Sequence, residues 1–147
     1  MKIVYRDTYC TAEELEIREV EIPVPGENQI LVKVKASTVN RTDEGVLLGK
    51  PFIFRFFAGF PKPKYRATGT DFSGEIVGAG KNVVEFKVGQ EVFGFLDHGL
   101  GTHAEYVCID IKQPVFLKPK NISHIQAAAS LEGAHYAFNF INKVKIE

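Results

Sequence analysis

A mainly β domain of the α+β class, a barrel or sandwich with a few short helices, is what this sequence predicts. The clearest observation is the alternation over residues 29–39, where Ile30, Val32, Val34 and Ala36 fall on one side and Lys33 and Lys35 on the other; that is the period of a sheet with one wet face. Further short apolar runs are set apart by Gly78, Gly80, Gly89, Gly99 and Gly101, as corners between strands would be. Helical spacing, by contrast, occurs in only two places.

Taken in order, residues 15–22 place Leu15, Ile17, Val20 and Ile22 against charged neighbours with one slip of phase, and Pro23-Val24-Pro25-Gly26 then ends the strand. After the 29–39 strand, a short helix is expected over 42–48, between Asn40 and Gly49. Residues 72–77, 91–96 and 103–111 are further strand candidates. Asn121-Ile122-Ser123 offers an N-cap, after which Ile125, Ala128, Ala129 and Leu131 recur at helical spacing. Beyond Gly133, Tyr136, Phe138, Phe140 and Ile141 form a second apolar stretch of helical length, leading into residues 143–147.

The chain has 147 residues, with 18 Lys and Arg against 18 Asp and Glu. A net charge of zero provides no electrostatic footprint for nucleic acid. With 45% hydrophobic residues, a domain of this size buries about 68–70% of its unfolded surface and needs no covalent staples. Cys10 and Cys108 are isolated, so they define neither a disulfide framework nor a zinc knuckle, and a reducing, cytoplasmic setting is expected. Charge arrives too early at the N-terminus for a signal peptide, and no apolar run approaches the ~20 residues of a membrane span.

Several chemical motifs begin and fail. Gly78-Ala79-Gly80 follows a strand like the opening of a dinucleotide-binding turn, but Val83 occupies the third glycine position and residues 85–89 are no helix. A glycine corner between barrel strands is the better reading. Asp97, His98 and His103 could in principle hold a metal, but Gly99, Gly101 and Thr102 leave the loop too loose, and a hairpin with surface histidines is expected. Ser73 lacks a nucleophile elbow, its flank being Asp71-Phe72-Ser73-Gly74-Glu75.

The run from Gly69-Thr70-Asp71-Phe72-Ser73-Gly74-Glu75 through Gly80 to Val88-Gly89-Gln90-Glu91-Val92-Phe93-Gly94 resembles the medium-chain dehydrogenase/reductase superfamily, in its quinone-reductase-like branch. Residues 32–43 upstream, Gly101-Thr102-His103-Ala104-Glu105-Tyr106-Val107 downstream, and Gly133-Ala134-His135-Tyr136-Ala137 extend the resemblance over essentially the whole chain. It implies a GroES-like catalytic domain, a partly open β-barrel, over 1–120, and a helical linker over 121–147 toward a dinucleotide-binding Rossmann domain that these residues do not include. The chain is thus expected to be the N-terminal part of an NADP(H)- or NAD(H)-dependent reductase of quinones or conjugated ketones. Alone it should be inactive, with no nucleotide bound.

Zinc-dependent members of that superfamily carry a cysteine at the position of Asn40 and a histidine at that of Thr70. An amide and a hydroxyl are poor zinc donors, and the resemblance therefore implies a zinc-independent enzyme with no metal ligands here. By position Asn40 and Thr42 are the catalytic candidates, for orienting and proton relay. Arg41 and Tyr136 are the cofactor-binding candidates, Tyr136 departing from the threonine common in the family. As alternatives, Asn40 stabilises a turn, Arg41 is a solvated charge and Tyr136 is helix core.

Phe52, Phe54, Phe56, Phe57 and Phe60 lie in one proline-punctuated basic stretch. They are core aromatics, an apolar lip over the substrate cleft, or a membrane or partner contact. Together with Phe138, Phe140 and Ile141 they lead us to expect a homodimer. Two non-enzymatic readings stand beside the oxidoreductase: a co-chaperonin-like ring subunit sharing the barrel, and a noncatalytic GroES-like binding or interaction module.

Overall fold

The computed structural model describes residues 1–96 and 101–143, apart from the side chains of Phe54 and Phe57. Asp97 and His98 of the candidate metal set, and the end of the expected linker at 144–147, lie outside the described residues.

The fold is mainly β, as expected. Among the described residues the strands are β1 (Lys2–Tyr5), β2 (Glu16–Glu19), β3 (Gln29–Ser37), β4 (Asp71–Ala79), β5 (Glu91–Phe95), β6 (Tyr106–Asp110) and β7 (Val115–Leu117). The α-helices are α1 (Arg41–Leu48), α2 (Phe54–Ala58) and α3 (His124–Lys143), with one short 3-10 turn at Ala12–Glu14. Strands β6-β3-β4-β5-β7 form one antiparallel sheet, and β1 and β2 pair separately. Isolated bridges from Ile3 to Ala104 and from Tyr5 to Ala67 tie the small ribbon to the larger sheet, giving a partly open barrel.

Alternation organises the core. Ile30 and Val32 of β3, Phe72 and Ile76 of β4, Val92 of β5 and Val107 and Ile109 of β6 are all buried in one cluster with Leu96 and Val115. Two register shifts in β3, at Leu31/Val32 and Val34/Ala36, bend it around this cluster. Strand β4 is covered on both sides. Phe72 and Ile76 face the core, while Asp71 and Ser73 point the other way and are equally buried. On that second side lies α3, whose Ala127 and Ala128 are buried and small enough to let the helix approach the sheet closely.

Gly78 and Ala79 end β4 and Gly80 opens the corner that follows, as the failed motif suggested. Gly80 donates its N–H to the Gln29 carbonyl at 2.8 Å, and a Cβ there would collide with the carbonyls of Gly26 and Glu27. At the end of α1, Gly49 adopts the left-handed conformation (φ 60°), donating its N–H to the last-turn carbonyls.

The structure departs from expectation in three respects. The two helical stretches around Gly133 are one helix, because alanines on both sides carry the helical bias across a single glycine, which costs only about 1 kcal/mol relative to Ala. The alternating 15–22 segment shortens to β2 and leaves Ile17 74% exposed, since among the described residues its strand partner is β1 alone and no second layer covers it. Strands β1 and β7 and helix α2 carry no periodic signal of their own; β7 has three residues and exists because β5 offers an edge.

Phe72 is fully buried at the centre of the cluster. Phe72→Ala should cost about 3–5 kcal/mol and lower the thermal midpoint by roughly 10 °C. Calorimetry of the two proteins checks this, and an unchanged midpoint would mean that the core lies elsewhere.

Candidate active site

Three elements meet around Asn40. It caps α1: its Oδ1 accepts the Asp43 N–H at 2.9 Å, and Asp43 Oδ2 accepts the Asn40 N–H at 3.0 Å, a reciprocal capping box. With the carbonyl oxygen so occupied, the amide nitrogen points toward β4 and α3.

That nitrogen lies within hydrogen-bond distance of four oxygens: Glu132 Oε2 at 2.7 Å, Asp71 Oδ2 at 2.9 Å, Thr70 Oγ1 at 3.0 Å and Thr38 Oγ1 at 3.3 Å. A primary amide has two protons to give. The Thr38 hydroxyl donates to Asp71 Oδ2 at 2.6 Å and the Thr70 hydroxyl to Asp43 Oδ1 at 3.2 Å. The amide protons therefore go to the two carboxylates, where charge makes the bonds strongest. Thr42, on the first turn of α1, donates to the other Glu132 oxygen at 2.7 Å.

Three carboxyl groups, Asp43, Asp71 and Glu132, thus surround one amide and three hydroxyls. Burial holds the Glu132 carboxyl above the usual carboxylate range; the Thr42 hydrogen bond opposes this, and the charges of Asp71 and Asp43 reinforce it. Asp43 is raised too, by burial first, against the lowering effects of the Asn40 backbone hydrogen bond and His103. One oxygen of Asp71, Oδ1, is buried and has no hydrogen-bond partner among the described residues.

His103 is not a surface histidine, in contrast to the sequence reading. Its ring is largely buried, with Nε2 2.6 Å from the Thr38 carbonyl and Nδ1 2.8 Å from the Thr68 hydroxyl. A carbonyl only accepts, so Nε2 carries a proton, and the ring braces the segment leading to Asn40. Among the described residues no set of three His, Cys, Asp or Glu side chains is arranged to hold a metal ion.

A second chain of contacts looks like a nucleophile triad. Ser73 Oγ lies 2.8 Å from His124 Nδ1, and His124 Nε2 lies 3.0 Å from Glu91. Ser73, however, is completely buried, and its hydroxyl lies 3.1 Å from the Val92 carbonyl, which can only accept its proton. The chain pins the start of α3 to β4 and β5.

Of the sequence candidates, Asn40 and Thr42 come together through Glu132. Arg41, the first residue of α1, is exposed. Tyr136 is 51% exposed, one turn beyond Glu132 on α3, and its ring packs edge-on against His135, which in turn packs on Phe95. Sequence reasoning missed Asp43, Asp71 and Glu132. Asp43 was legible as the partner of a capping box starting at Asn40; Glu132 is a lone carboxylate directly after the run Ala127-Ala128-Ala129-Ser130-Leu131, and only the folded chain brings it to Asn40.

Residues 26–120 match the family model described as the alcohol dehydrogenase GroES-like domain. The chain belongs to that family, within the medium-chain dehydrogenase/reductase superfamily. It is 30% identical over 136 residues to a chloroplastic quinone-oxidoreductase homolog of Spinacia oleracea, covering 88% of this chain and 39% of that protein. In three dimensions it is similar to the quinone oxidoreductase of Coxiella burnetii, with TM-score 0.88, 26% identity, and coverage of 100% of this chain and 46% of that one. The Escherichia coli quinone oxidoreductase complexed with NADPH shares the fold, with TM-score 0.84, 24% identity and coverage of 100% and 42%. The chain therefore spans about two fifths of the length of the Spinacia oleracea relative.

Because Glu132 and Asp43 hold their protons more tightly folded than unfolded, the native state binds more protons between the two pKa values, and stability falls as pH rises through the window above the ordinary carboxylate range. Glu132→Gln should flatten that fall: the loss of thermal midpoint between about pH 5 and about pH 7 should be smaller than in the parent protein. An equal loss in both would remove Glu132 from the account.

Proposed function

We propose that these residues form the substrate side of a zinc-independent, NADP(H)- or NAD(H)-dependent oxidoreductase acting on quinones or conjugated ketones. The observation that carries this reading is the Asn40–Glu132–Thr42 arrangement, in a chain whose relatives are named as quinone oxidoreductases. In this reading residues 1–120 are the catalytic domain and 121–147 a helical linker.

At the positions where zinc-dependent relatives carry metal ligands, the fit is poor. The Asn40 amide nitrogen has no lone pair to offer a metal and gives its protons to carboxylates, and the Thr70 oxygen is that of a neutral hydroxyl engaged with Asp43, a poor zinc donor. Polarisation of a substrate carbonyl then falls to hydrogen-bond donors, which suits substrates that spread developing charge over a conjugated system.

A reduced nicotinamide, when bound, supplies the hydride. In this reading Thr42 passes a proton, which is supported by its hydrogen bond to a carboxyl whose proton affinity is raised. Asn40 holds Glu132 and Asp71 in place. Arg41 is an exposed guanidinium suited to a pyrophosphate, and Tyr136 an exposed ring suited to the nicotinamide side. Cytoplasmic placement stays part of the proposal; among the described residues no helix is long and apolar enough to cross a membrane. So does a homodimer, for which exposed Tyr136, Phe138, Phe140 and Ile141 of α3 offer an apolar face.

In a polypeptide carrying these residues together with a dinucleotide-binding domain, NADPH-dependent reduction of 1,4-benzoquinone should persist in chelator and fall about a hundredfold in Thr42→Val. The 147 residues alone should show no micromolar NADPH binding by fluorescence. Activity abolished by chelator, or a stoichiometric zinc held at Asn40 and Thr70, would overturn the reading.

A further inference from the structure

Of the aromatic stretch that the sequence left with three readings, Phe52, Phe56 and Phe60 are not core. Phe52, Phe56 and Phe60 are 55%, 68% and 62% exposed, and Ile53 beside them is 60% exposed. The three rings pack on one another, with centroids 5.8 to 6.1 Å apart: Phe52 meets the other two edge-on, and Phe56 and Phe60 are stacked. They form one apolar cluster at the surface.

The cluster is held in place. Tyr9 donates its hydroxyl to the Gly59 carbonyl at 2.6 Å, and Arg55 donates to the Gly49 and Leu48 carbonyls at 3.2 and 3.3 Å while its guanidinium lies over the Tyr9 and Phe52 rings. Those carbonyls close the C-terminal end of α1. Asn40 caps the other end, so the eight residues of the helix separate the aromatic cluster from the Asn40 network by about 12 Å along its axis. That separation argues against a lip over the catalytic groups.

Charge selects the partner. From Gly45 to Thr70 the chain contains no Asp or Glu, although its overall net charge is zero. Arg55 is engaged with α1 and Arg66 with Asp7. Lys50, Lys62 and Lys64 are exposed, and among the described residues none of the three is in a salt bridge. Aromatic rings at the apex with a rim of lysines are complementary to an anionic bilayer surface, where rings settle at the headgroup level and ammonium groups meet lipid phosphates and carboxylates.

We propose that the Phe52, Phe56 and Phe60 cluster and its rim of Lys50, Lys62 and Lys64 form a peripheral docking surface for anionic lipid membranes. The surface is independent of the oxidoreductase reading, and its test uses neither nucleotide nor quinone.

The chain contains no tryptophan, so Phe56→Trp gives a single reporter at the apex. Its emission should shift to the blue with vesicles of phosphatidylcholine containing about 30% phosphatidylserine, and much less with phosphatidylcholine alone. Raising salt from about 0.1 M to about 1 M should release the protein. In co-sedimentation, Phe56→Ser with Phe60→Ser should weaken binding at least about tenfold, and Lys50→Gln with Lys62→Gln and Lys64→Gln should erase the preference for the anionic vesicles. Failure of the parent chain to bind anionic vesicles would overturn the proposal, as would binding that the phenylalanine variant leaves intact. So would sedimentation velocity showing that Phe56 and Phe60 instead hold two copies of the chain together.

Discussion

The side-chain amide of Asn40 joins the three parts of the fold that make the site. Its oxygen caps α1, and its nitrogen reaches the carboxylates of Asp71 on β4 and Glu132 on α3. Neither carboxylate could be left this close to the other, and to Asp43, without a shared donor between them. Charges of like sign in a partly dry site are costly, and the amide, with Thr38, Thr42 and Thr70, supplies the donors that keep them together.

The rest of the site is arranged so that this can happen. The barrel closes the core side of β4 with Phe72 and Ile76, which frees its other side, Asp71 and Ser73, to face α3. Ala127 and Ala128 bring that helix near, and His124 fixes its first turn through Ser73 and Glu91. Glu132 is carried two turns further along and arrives at Asn40 and Thr42. His103, braced by Thr68, holds the Thr38 carbonyl and with it the approach to the cap. A carboxyl with raised proton affinity next to a hydroxyl follows from this packing.

Legibility in the sequence divided along physical lines. Strand β3 was readable because it buries one face and so alternates, β4, β5 and β6 because they are short apolar runs set apart by glycines, and α1 because it lies between a capping residue and a left-handed glycine. Strands β1 and β7 were not, since a short strand without a buried face is defined by its partner's edge. Asn40 and Thr42 were singled out by resemblance, and the fold brings them into one network. Glu132 lies 92 residues from Asn40, and nothing in local pattern announces such a pairing. The phenylalanine run was conspicuous, but the exposure of Phe52, Phe56 and Phe60 depends on Tyr9 and Arg55 holding that segment to the end of α1, contacts that no periodicity encodes.

Asn40→Asp tests the central claim most directly, because it preserves the shape of the side chain and a good helix cap while replacing two donors with a negative oxygen. If the amide holds Asp71 and Glu132 together, the variant should lose about 3 kcal/mol or more at neutral pH. It should recover much of that loss on acidification, as Glu132 and Asp43, whose proton affinities are raised, take up protons. Urea denaturation of both proteins at about pH 5 and about pH 7 measures the two quantities. Equal stability of variant and parent at neutral pH would contradict the account, and so would a loss that does not change with pH.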